Sequence, residues 1–184
     1  MENRFFADRE RDDLHSKMEA IQEKALDERQ TATDRAHEAY EAEDYETALT
    51  LFSEAAQMGS ENAMLSYGIM LAKGQGAARD YGRAFGYIKK AAQKGSAYAQ
   101  FLCGDMCLYG MGMEESAEHA LKFYLQAAYW GNADAQYQCG CMYHARQGLP
   151  LDLVSIDYDA TARKWLEMAA AQGHQEAAQL LADE

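Results

Sequence analysis

Residues 63–95 have the sequence AMLSYGIMLAKGQGAARDYGRAFGYIKKAAQKG, and this stretch decides the fold. Small and apolar residues recur in it every three or four positions, in one group that begins at Ala63 and another that begins at Tyr81. This spacing predicts two helices. Gly74 and Gly76 separate the groups, and glycine is favoured where a helix ends in the left-handed conformation. The stretch therefore predicts a helix, a glycine turn, a second helix and a glycine cap.

The same pattern recurs along the chain. An A-A-x-x-G motif occupies residues 55–59, 91–95, 127–131 and 169–173, at separations of 36, 36 and 42 residues. A second motif, A-x-x-x-[YC]-G, lies just downstream of the first three copies, again every 36 residues. Two motifs in one register predict a repeat protein. The predicted helices pair as 61–73 with 80–94, 97–109 with 116–130, and 133–146 with 158–172, and a short capping helix follows at 175–182.

Each predicted hairpin carries small residues at matching positions of its two helices. Small side chains at a helix contact allow the two helix axes to approach closely. A larger side chain at these positions would hold the axes apart. The positions are Gly68, Gly104 and Gly140 in the first helices, and Ala84, Ala120 and Ala162 in the second helices.

The frame A-x-x-x-x-G-x-x-x-x-x-G-x-G followed by D-Y-x-x-A-x-x-x-x-x-K-A-A-x-x-G resembles the Sel1-like repeat. Residues 63–95 match it almost completely, and residues 99–131 keep its alanines and glycines. The third unit, 135–173, has Arg146 in place of the first turn glycine and an insertion, 147–157, that contains Pro150. Upstream, the segment from Ala36 to Ala55 resembles the related tetratricopeptide repeat. The resemblance implies an all-α fold, a right-handed α/α superhelix of stacked helix hairpins.

This pattern divides the chain into four parts. Residues 1–30 are predicted to form a charged amphipathic helix, in which Leu14, Met18, Ile21 and Ala25 follow a 4-3-4 spacing. Such a helix caps the solenoid, extends from it into solvent, or pairs with another chain, and the last alternative has only about two heptads available. The remaining parts are a tetratricopeptide-like unit at 31–60, three Sel1-like repeats at 61–174 and a capping helix at 175–184.

Composition narrows the class of partner. The 184 residues contain 17 Lys and Arg against 30 Asp and Glu, a formal net charge of −13. This charge disfavours binding to nucleic acid or to an anionic membrane, because both are negatively charged. No stretch approaches the ~18 apolar residues of a spanning helix, and the charged N-terminus does not resemble a secretory signal. We expect a soluble, cytoplasmic protein.

The sequence contains no motif that predicts catalysis. The loop 74–80 lacks the spacing of a phosphate-binding loop, and Asp80 is interpreted as a helix N-cap. The five histidines lie outside H-E-x-x-H patterns, and no G-x-S-x-G motif occurs. We expect Cys103, Cys107 and Cys139 to be core residues and Cys141 to be partly exposed, so that no metal or cofactor is predicted.

A binding surface is expected on the concave face, which the first helix of each unit lines. Helical periodicity from the leading alanine places a mixture of aromatic, apolar and acidic residues there. Tyr98, Asp105 and Tyr109 are the strongest candidates, since the repeat pattern assigns them no packing role, whereas Phe101 and Tyr137 are equally consistent with core packing. The predicted partner-binding residues are Tyr40, Leu65, Ile69, Tyr98, Phe101, Asp105, Tyr109, Tyr137, Cys141 and His144.

These features predict a non-catalytic adaptor or scaffold that binds a peptide or protein segment. Aromatic anchors are common hot-spot residues, and carboxylates beside them favour a segment with Lys or Arg. The family resemblance also implies an alternative, a hydrolase of the β-lactamase-like type credited to secreted relatives. The disulfide framework of that branch is missing here. A third alternative is a structural protein that self-assembles through its N-terminal helix. The predicted oligomeric state is a monomer or a weak dimer through that helix.

Overall fold

A computed structural model describes residues 2–149 and 157–183, with side chains from residue 14 onward. These residues form helices and turns and no strand. The predicted all-α class is therefore confirmed. The helices of the described ranges are α1 (Glu2–Glu41), α2 (Tyr45–Gln57), α3 (Glu61–Lys73), α4 (Tyr81–Gln93), α5 (Ala97–Leu108), α6 (Ala117–Tyr129), α7 (Ala133–His144), α8 (Tyr158–Ala171) and α9 (Gln175–Ala182).

The helices form hairpins that stack in sequence order. Each helix packs on the helix before it and the helix after it, from α1 to α9. The hairpins are α1–α2, α3–α4, α5–α6 and α7–α8, and α9 packs against α8 at the end of the stack. A chain whose hairpins contact only their neighbours is a solenoid.

Capping residues explain why the helices begin where they do. The side chains of Ser60, Ser96 and Asn132 accept a hydrogen bond from the backbone N–H three residues later, at the starts of α3, α5 and α7. Asp80 does the same at the start of α4, which confirms its predicted role. An N-cap of this kind satisfies one of the N–H groups that a helix start leaves unpaired.

The predicted close approach within hairpins is confirmed. A Cβ atom added at Gly68 would lie 2.6 Å from Cγ1 of Ile88. One added at Gly140 would lie 2.7 Å from Cγ of Leu166 and 3.3 Å from the carbonyl oxygen of Ala162. The glycines therefore leave no room for a side chain between the two helices of a hairpin.

The turn geometry is retained in the third hairpin despite the loss of its first glycine. Gly74 and Gly76 have φ values of 73° and 76°, in the left-handed region. Arg146 takes the same conformation at φ 53° in place of glycine, and Gly148 follows at φ 72°. The extra residues of the third unit therefore follow Gly148, and of the predicted insertion residues 150–156 lie outside the described residues.

The second glycine of each turn also joins one hairpin to the next. A Cβ atom on Gly76 would lie 2.6 Å from the carbonyl carbon of Tyr45, the first residue of α2. The equivalent atom on Gly148 would lie 2.7 Å from the carbonyl carbon of Ala117, the first residue of α6. These contacts between backbones lie 31 residues apart in the sequence, and they hold consecutive hairpins in register.

Alanines and a few large side chains fill the core between the helices. Phe52, Leu71, Tyr124 and Leu166 are almost completely buried. The thiols follow the sequence prediction, since all four are free, and Cys103, Cys107 and Cys139 are buried while Cys141 is partly exposed. Burial raises the pKa of Cys103 and of Cys139 to about 12. Buried thiols with raised pKa values are inert core residues.

The N-terminal half of α1 extends beyond the hairpin stack. α1 continues without interruption across residue 30, and its first buried side chain within the described residues is that of Thr33. Leu14, Met18 and Ile21 are 62%, 54% and 68% exposed. The apolar stripe therefore does not cap the solenoid within the described residues, and it extends from the hairpin stack with its apolar side chains exposed. The division of the chain at residue 30 stays a prediction.

Candidate protein-binding groove

A groove of about 360 Å³ lies between α3 and α5, and we call it the α3–α5 groove. α3 and α5 form its two walls, while α4 and the turn after α5 contribute the rest. Its surface is mostly apolar, with one lysine and one aspartate. The lining residues are Ile69, Ala72 and Lys73 of α3, Tyr81 and Ile88 of α4, Tyr98, Leu102, Asp105 and Met106 of α5, and Met111 of the turn.

The aromatic residues of α5 divide into exposed and packed members. Tyr98 is 49% exposed and Tyr109 is 65% exposed. Phe101 stacks on Tyr98 with ring centroids 6.4 Å apart, and its other neighbour is Tyr124 of α6 at 5.9 Å. Phe101 is thus a packing residue that supports Tyr98. Of its two predicted roles, core packing and partner contact, the structure shows the first.

Asp105 has a structural role that the repeat pattern did not indicate. Its Oδ1 accepts a hydrogen bond of 2.7 Å from the hydroxyl of Tyr124, a fully buried residue. The expectation that Asp105 has no packing role is therefore wrong. The hydroxyl of a buried tyrosine needs a hydrogen-bond partner, and the carboxylate provides it.

The environment of Asp105 makes its charge unfavourable in the unbound protein. Burial raises the pKa of this carboxyl, the negative charge of Asp134 adds to the increase, and the hydrogen bond from Tyr124 opposes it. Among the described residues no cation pairs with this carboxylate. A positive group brought to the groove would relieve the cost of holding the charge there.

A second cavity, of about 230 Å³, lies between α1 and α3. Tyr40 and Ile69 both line it, and the hydroxyl of Tyr40 lies 3.4 Å from Oε1 of Gln75. His37 also lines this cavity and packs edge-on against Phe52, with centroids 4.9 Å apart. Leu65 is half-buried against the hydrophobic core and lines neither cavity.

The predicted residues of the third unit lie apart from both cavities. Tyr137 stacks on His174, with ring centroids 4.5 Å apart. A hydrogen bond to the Cys141 thiol raises the pKa of Tyr137. His144 is exposed at the end of α7. The ring of Tyr137 is thus covered by the residue that caps α9.

The structure brings some of the predicted residues together and adds others. Ile69, Tyr98 and Asp105 share the α3–α5 groove. Tyr109, the C-cap of α5, follows Asp105 by four residues and does not line the groove. Tyr81 and Met111 were missed because they belong to a second helix and to a turn. Their register could have indicated them, since the turn after α5 contacts the start of α4: a Cβ atom on Gly112 would lie 2.7 Å from the backbone nitrogen of Gly82.

Two further features were not found among the described residues. No group of three or more His, Cys, Asp and Glu side chains within these ranges lies close enough together to hold a metal ion. None of the helices described here is both long enough and apolar enough to cross a bilayer. The arrangement of the groove suits recognition of another molecule by shape and charge.

Comparison with known proteins agrees with this architecture. The Sel1 repeat family matches residues 40–60, 62–96, 97–132 and 133–174. A search of curated proteins gave no match.

Solved structures share the fold. A protective antigen of uropathogenic Escherichia coli with an SLR fold is 27% identical, with a TM-score of 0.78 over 89% of this chain and 35% of its own. A Sel1 repeat protein from Oxalobacter formigenes is also 27% identical, with a TM-score of 0.68. The match covers 79% of this chain and 56% of that protein. The chain thus spans less than two thirds of either relative. Helicobacter pylori cysteine rich protein B is 20% identical, with a TM-score of 0.57, and the match covers 74% of this chain and 94% of that protein. At this identity the likeness shows the fold alone.

Proposed function

Because the chain belongs to the Sel1 repeat family, whose members generally mediate protein–protein interaction and are typically non-catalytic, we propose that it is an adaptor whose α3–α5 groove binds a protein segment. The segment carries a Lys or Arg side chain beside an apolar one. The observation that carries this proposal is the half-buried carboxylate of Asp105 in an apolar groove beside the exposed ring of Tyr98.

The apolar part of the groove supplies the surface for an anchor. Leu102 and Met106 of α5 face Ile69 of α3 across it. Methionine side chains adapt to ligands of different shape, and tyrosine gives a large contact area at a small cost in conformational entropy. An apolar side chain of the partner inserted here would be covered by Tyr98.

The charges of the groove select the partner and its direction. Asp105 on α5 attracts a cationic side chain, and Lys73 on α3 attracts an anionic group such as a carboxylate of the same segment. The net charge of −13 raises the association rate of basic partners at low salt. Binding is therefore expected to weaken as salt is added, and as the pH falls far enough to protonate Asp105.

Selection from a displayed peptide library tests this proposal with a defined probe. Enriched peptides are expected to contain Lys or Arg next to an apolar residue. Their affinity, measured by fluorescence anisotropy, should fall about 30-fold in Tyr98→Ala, as for an interface hot spot. Asp105→Asn should reduce binding of basic peptides while it keeps an oxygen for the hydroxyl of Tyr124.

Tyr129→Ala is the matched control. Tyr129 is 80% exposed at the end of α6 and does not line the groove. Its replacement should leave the affinity unchanged. Equal affinities for wild type and for Tyr98→Ala would refute the proposed site, and enrichment of acidic peptides would refute the proposed chemistry. The cytoplasmic location expected from the sequence stays a prediction.

A further inference from the structure

Positive charge is concentrated on one hairpin of this acidic chain. Residues 61–96, which contain α3 and α4, have six Lys and Arg against two Asp and Glu, whereas the whole chain has 17 against 30. One of the two acids, Asp80, is the N-cap of α4, and α4 itself contains no acidic residue. Lys73 lines the α3–α5 groove, and the other five cations are all exposed. We call these five residues the α4 basic surface: Arg79, Arg83, Lys89, Lys90 and Lys94.

The cations of this surface contact aromatic rings and not carboxylates. Nζ of Lys90 lies 4.6 Å from the centroid of the Tyr87 ring, which packs edge-on against Tyr67 of α3 with centroids 4.7 Å apart. The guanidinium of Arg83 donates a hydrogen bond to the hydroxyl of Tyr67. Within the described ranges none of the five cations forms an ion pair. Ring contacts orient a cation but leave its full charge in place, so this positive charge is available to a partner.

The surface consists of two rows along α4. The first row follows a 4-3-4 spacing, which places its members on one side of the helix over about 17 Å. Its members are Arg83, Tyr87, Lys90 and Lys94. Lys89 lies on a different side, with its Nζ 5.8 Å from the centroid of the Phe85 ring. Ala84 and Ile88 are on the buried side of α4, so the two rows border the outer face of the helix.

Two glycines lie on the outer face, between the rows. Gly82 and Gly86 are one helical turn apart, and both are exposed. A Cβ atom added at Gly86 would meet no atom within 4 Å, and one added at Gly82 would meet only Oδ1 of Asp80, at 3.6 Å. Packing within the chain therefore does not require these glycines, unlike Gly68, although glycine is less favourable than alanine in a helix. Their effect is to let the backbone of another molecule approach α4 closely between the cations.

We propose that the α4 basic surface binds an acidic segment of another protein, with Asp or Glu side chains at the cations and its backbone over the two glycines. Charge complementarity favours this occupant. The net charge of −13 does not prevent binding, because the Debye length at physiological salt is about 8 Å and charges more than one helix diameter away are largely screened. A nucleic acid is disfavoured, because a strand longer than the row of about 17 Å would also pass over the acidic remainder of the chain.

The α4 basic surface is independent of the α3–α5 groove. The residues that α4 contributes to the groove are Tyr81 and Ile88, and neither belongs to the basic surface. A chain whose groove binds nothing could therefore still bind an acidic segment here. If both surfaces bind, one chain can hold a basic segment and an acidic segment at the same time.

Selection of displayed peptides on the Tyr98→Ala variant, in which the groove is impaired, tests the proposal. Peptides that also bind the triple variant Arg83→Glu/Lys90→Glu/Lys94→Glu are removed first, and the remaining peptides are expected to be rich in Asp and Glu. Their affinity is measured by fluorescence anisotropy at physiological salt. Lys90→Glu should lower it about 10-fold, because a like-charge contact replaces an ion pair.

Gly86→Gln tests the close approach without a change of charge. Its side chain enters free space, so the helix should be retained, while the affinity should also fall about 10-fold because the added side chain lies between the rows. Lys24→Glu on α1 is the matched control, since it changes the net charge by the same amount as Lys90→Glu at an exposed site outside the surface. It should change the affinity by less than about 2-fold. Circular dichroism should show wild-type helicity for every variant, because all of these sites are exposed.

Several results would overturn the proposal. Equal losses of affinity in Lys24→Glu and Lys90→Glu would show a response to net charge alone, and unchanged affinity in Gly86→Gln would exclude the close approach. The partner class would be wrong if no acidic peptides remained after the subtraction, or if a twelve-nucleotide strand of oligo-dT bound as tightly as the selected peptides. Self-association of wild type that Lys90→Glu abolishes would make a second copy the occupant. Acidic peptides that bind wild type and Tyr98→Ala equally report this surface, and only those that require Tyr98 bear on the chemistry of the groove.

Discussion

Gly104→Ala tests the close packing of the second hairpin. Gly104 lies in the middle of α5, and an added Cβ atom would lie 2.5 Å from Cδ1 and 3.0 Å from Cζ of Tyr124. The ring is fully buried, and its hydroxyl is held by Asp105. A shift of the ring away from the added atom would strain or break that hydrogen bond.

The expected change in the free energy of unfolding follows from three contributions. Overpacking a close contact costs about 1–3 kcal/mol, and loss of a hydrogen bond to a charged group costs about 1.5–3 kcal/mol. The higher helix propensity of alanine returns about 1 kcal/mol. Gly104→Ala should thus destabilise the protein by roughly 1.5–5 kcal/mol.

Urea denaturation followed by circular dichroism measures this change, with Gly86→Ala as the matched control. Gly86 lies in α4 with no atom within 4 Å of its added Cβ. The same substitution there should stabilise the protein by up to about 1 kcal/mol. A Gly104→Ala variant as stable as wild type would refute the argument that this glycine is required by the Tyr124 ring.

Three further changes have expected outcomes. Asp105→Asn should leave stability at neutral pH unchanged or increased, because a raised pKa means that ionisation of Asp105 opposes folding. The difference, measured by urea denaturation, should shrink as the pH falls towards about 4 and should be absent below it, and a wild type more stable than the variant at neutral pH would contradict this. Ser60→Ala should lower the free energy of unfolding by about 1–2 kcal/mol, more than Ser116→Ala at an exposed N-cap. The reason is that the buried Ser60 hydroxyl both caps α3 and accepts a hydrogen bond from Thr33. Equal shifts of the melting temperature in the two variants would contradict this. A maleimide should modify Cys141 first, because the other thiols are more deeply buried. The reaction should be faster at higher pH, because burial raises the pKa of the Cys141 thiol. Peptide mapping that finds another cysteine labelled first would contradict this.

Helix positions followed from the sequence because the residues that end and begin helices are local signals. Gly74 and Asp80 mark the end of α3 and the start of α4, and each acts through its own backbone or side chain within a few residues. Arg146 shows the limit of such signals. It adopts the left-handed conformation of a glycine because the hairpin on both sides imposes it.

The candidate site was less predictable because it depends on pairs of side chains from different helices. The bond between Asp105 and Tyr124 has no counterpart in the α3–α4 and α7–α8 hairpins, where Ile88 and Leu166 occupy the place of Tyr124. The repeat motif contains only the residues that the units share, and so it does not indicate this hydrogen bond. The continuity of α1 across residue 30 could have been predicted, since no glycine or proline lies within residues 2–41.

The contact between Gly148 and the carbonyl of Ala117 allows the length of a unit to change without a change in the curvature of the solenoid. The extra residues of the third unit follow this glycine in the sequence. They therefore lie outside the contact that sets the geometry between consecutive hairpins. The same junction exists after Gly76 and after Gly112. Foreign loops, such as epitopes or enzyme-recognition tags, could therefore be grafted at these two places as side branches, with the pitch of the solenoid unchanged.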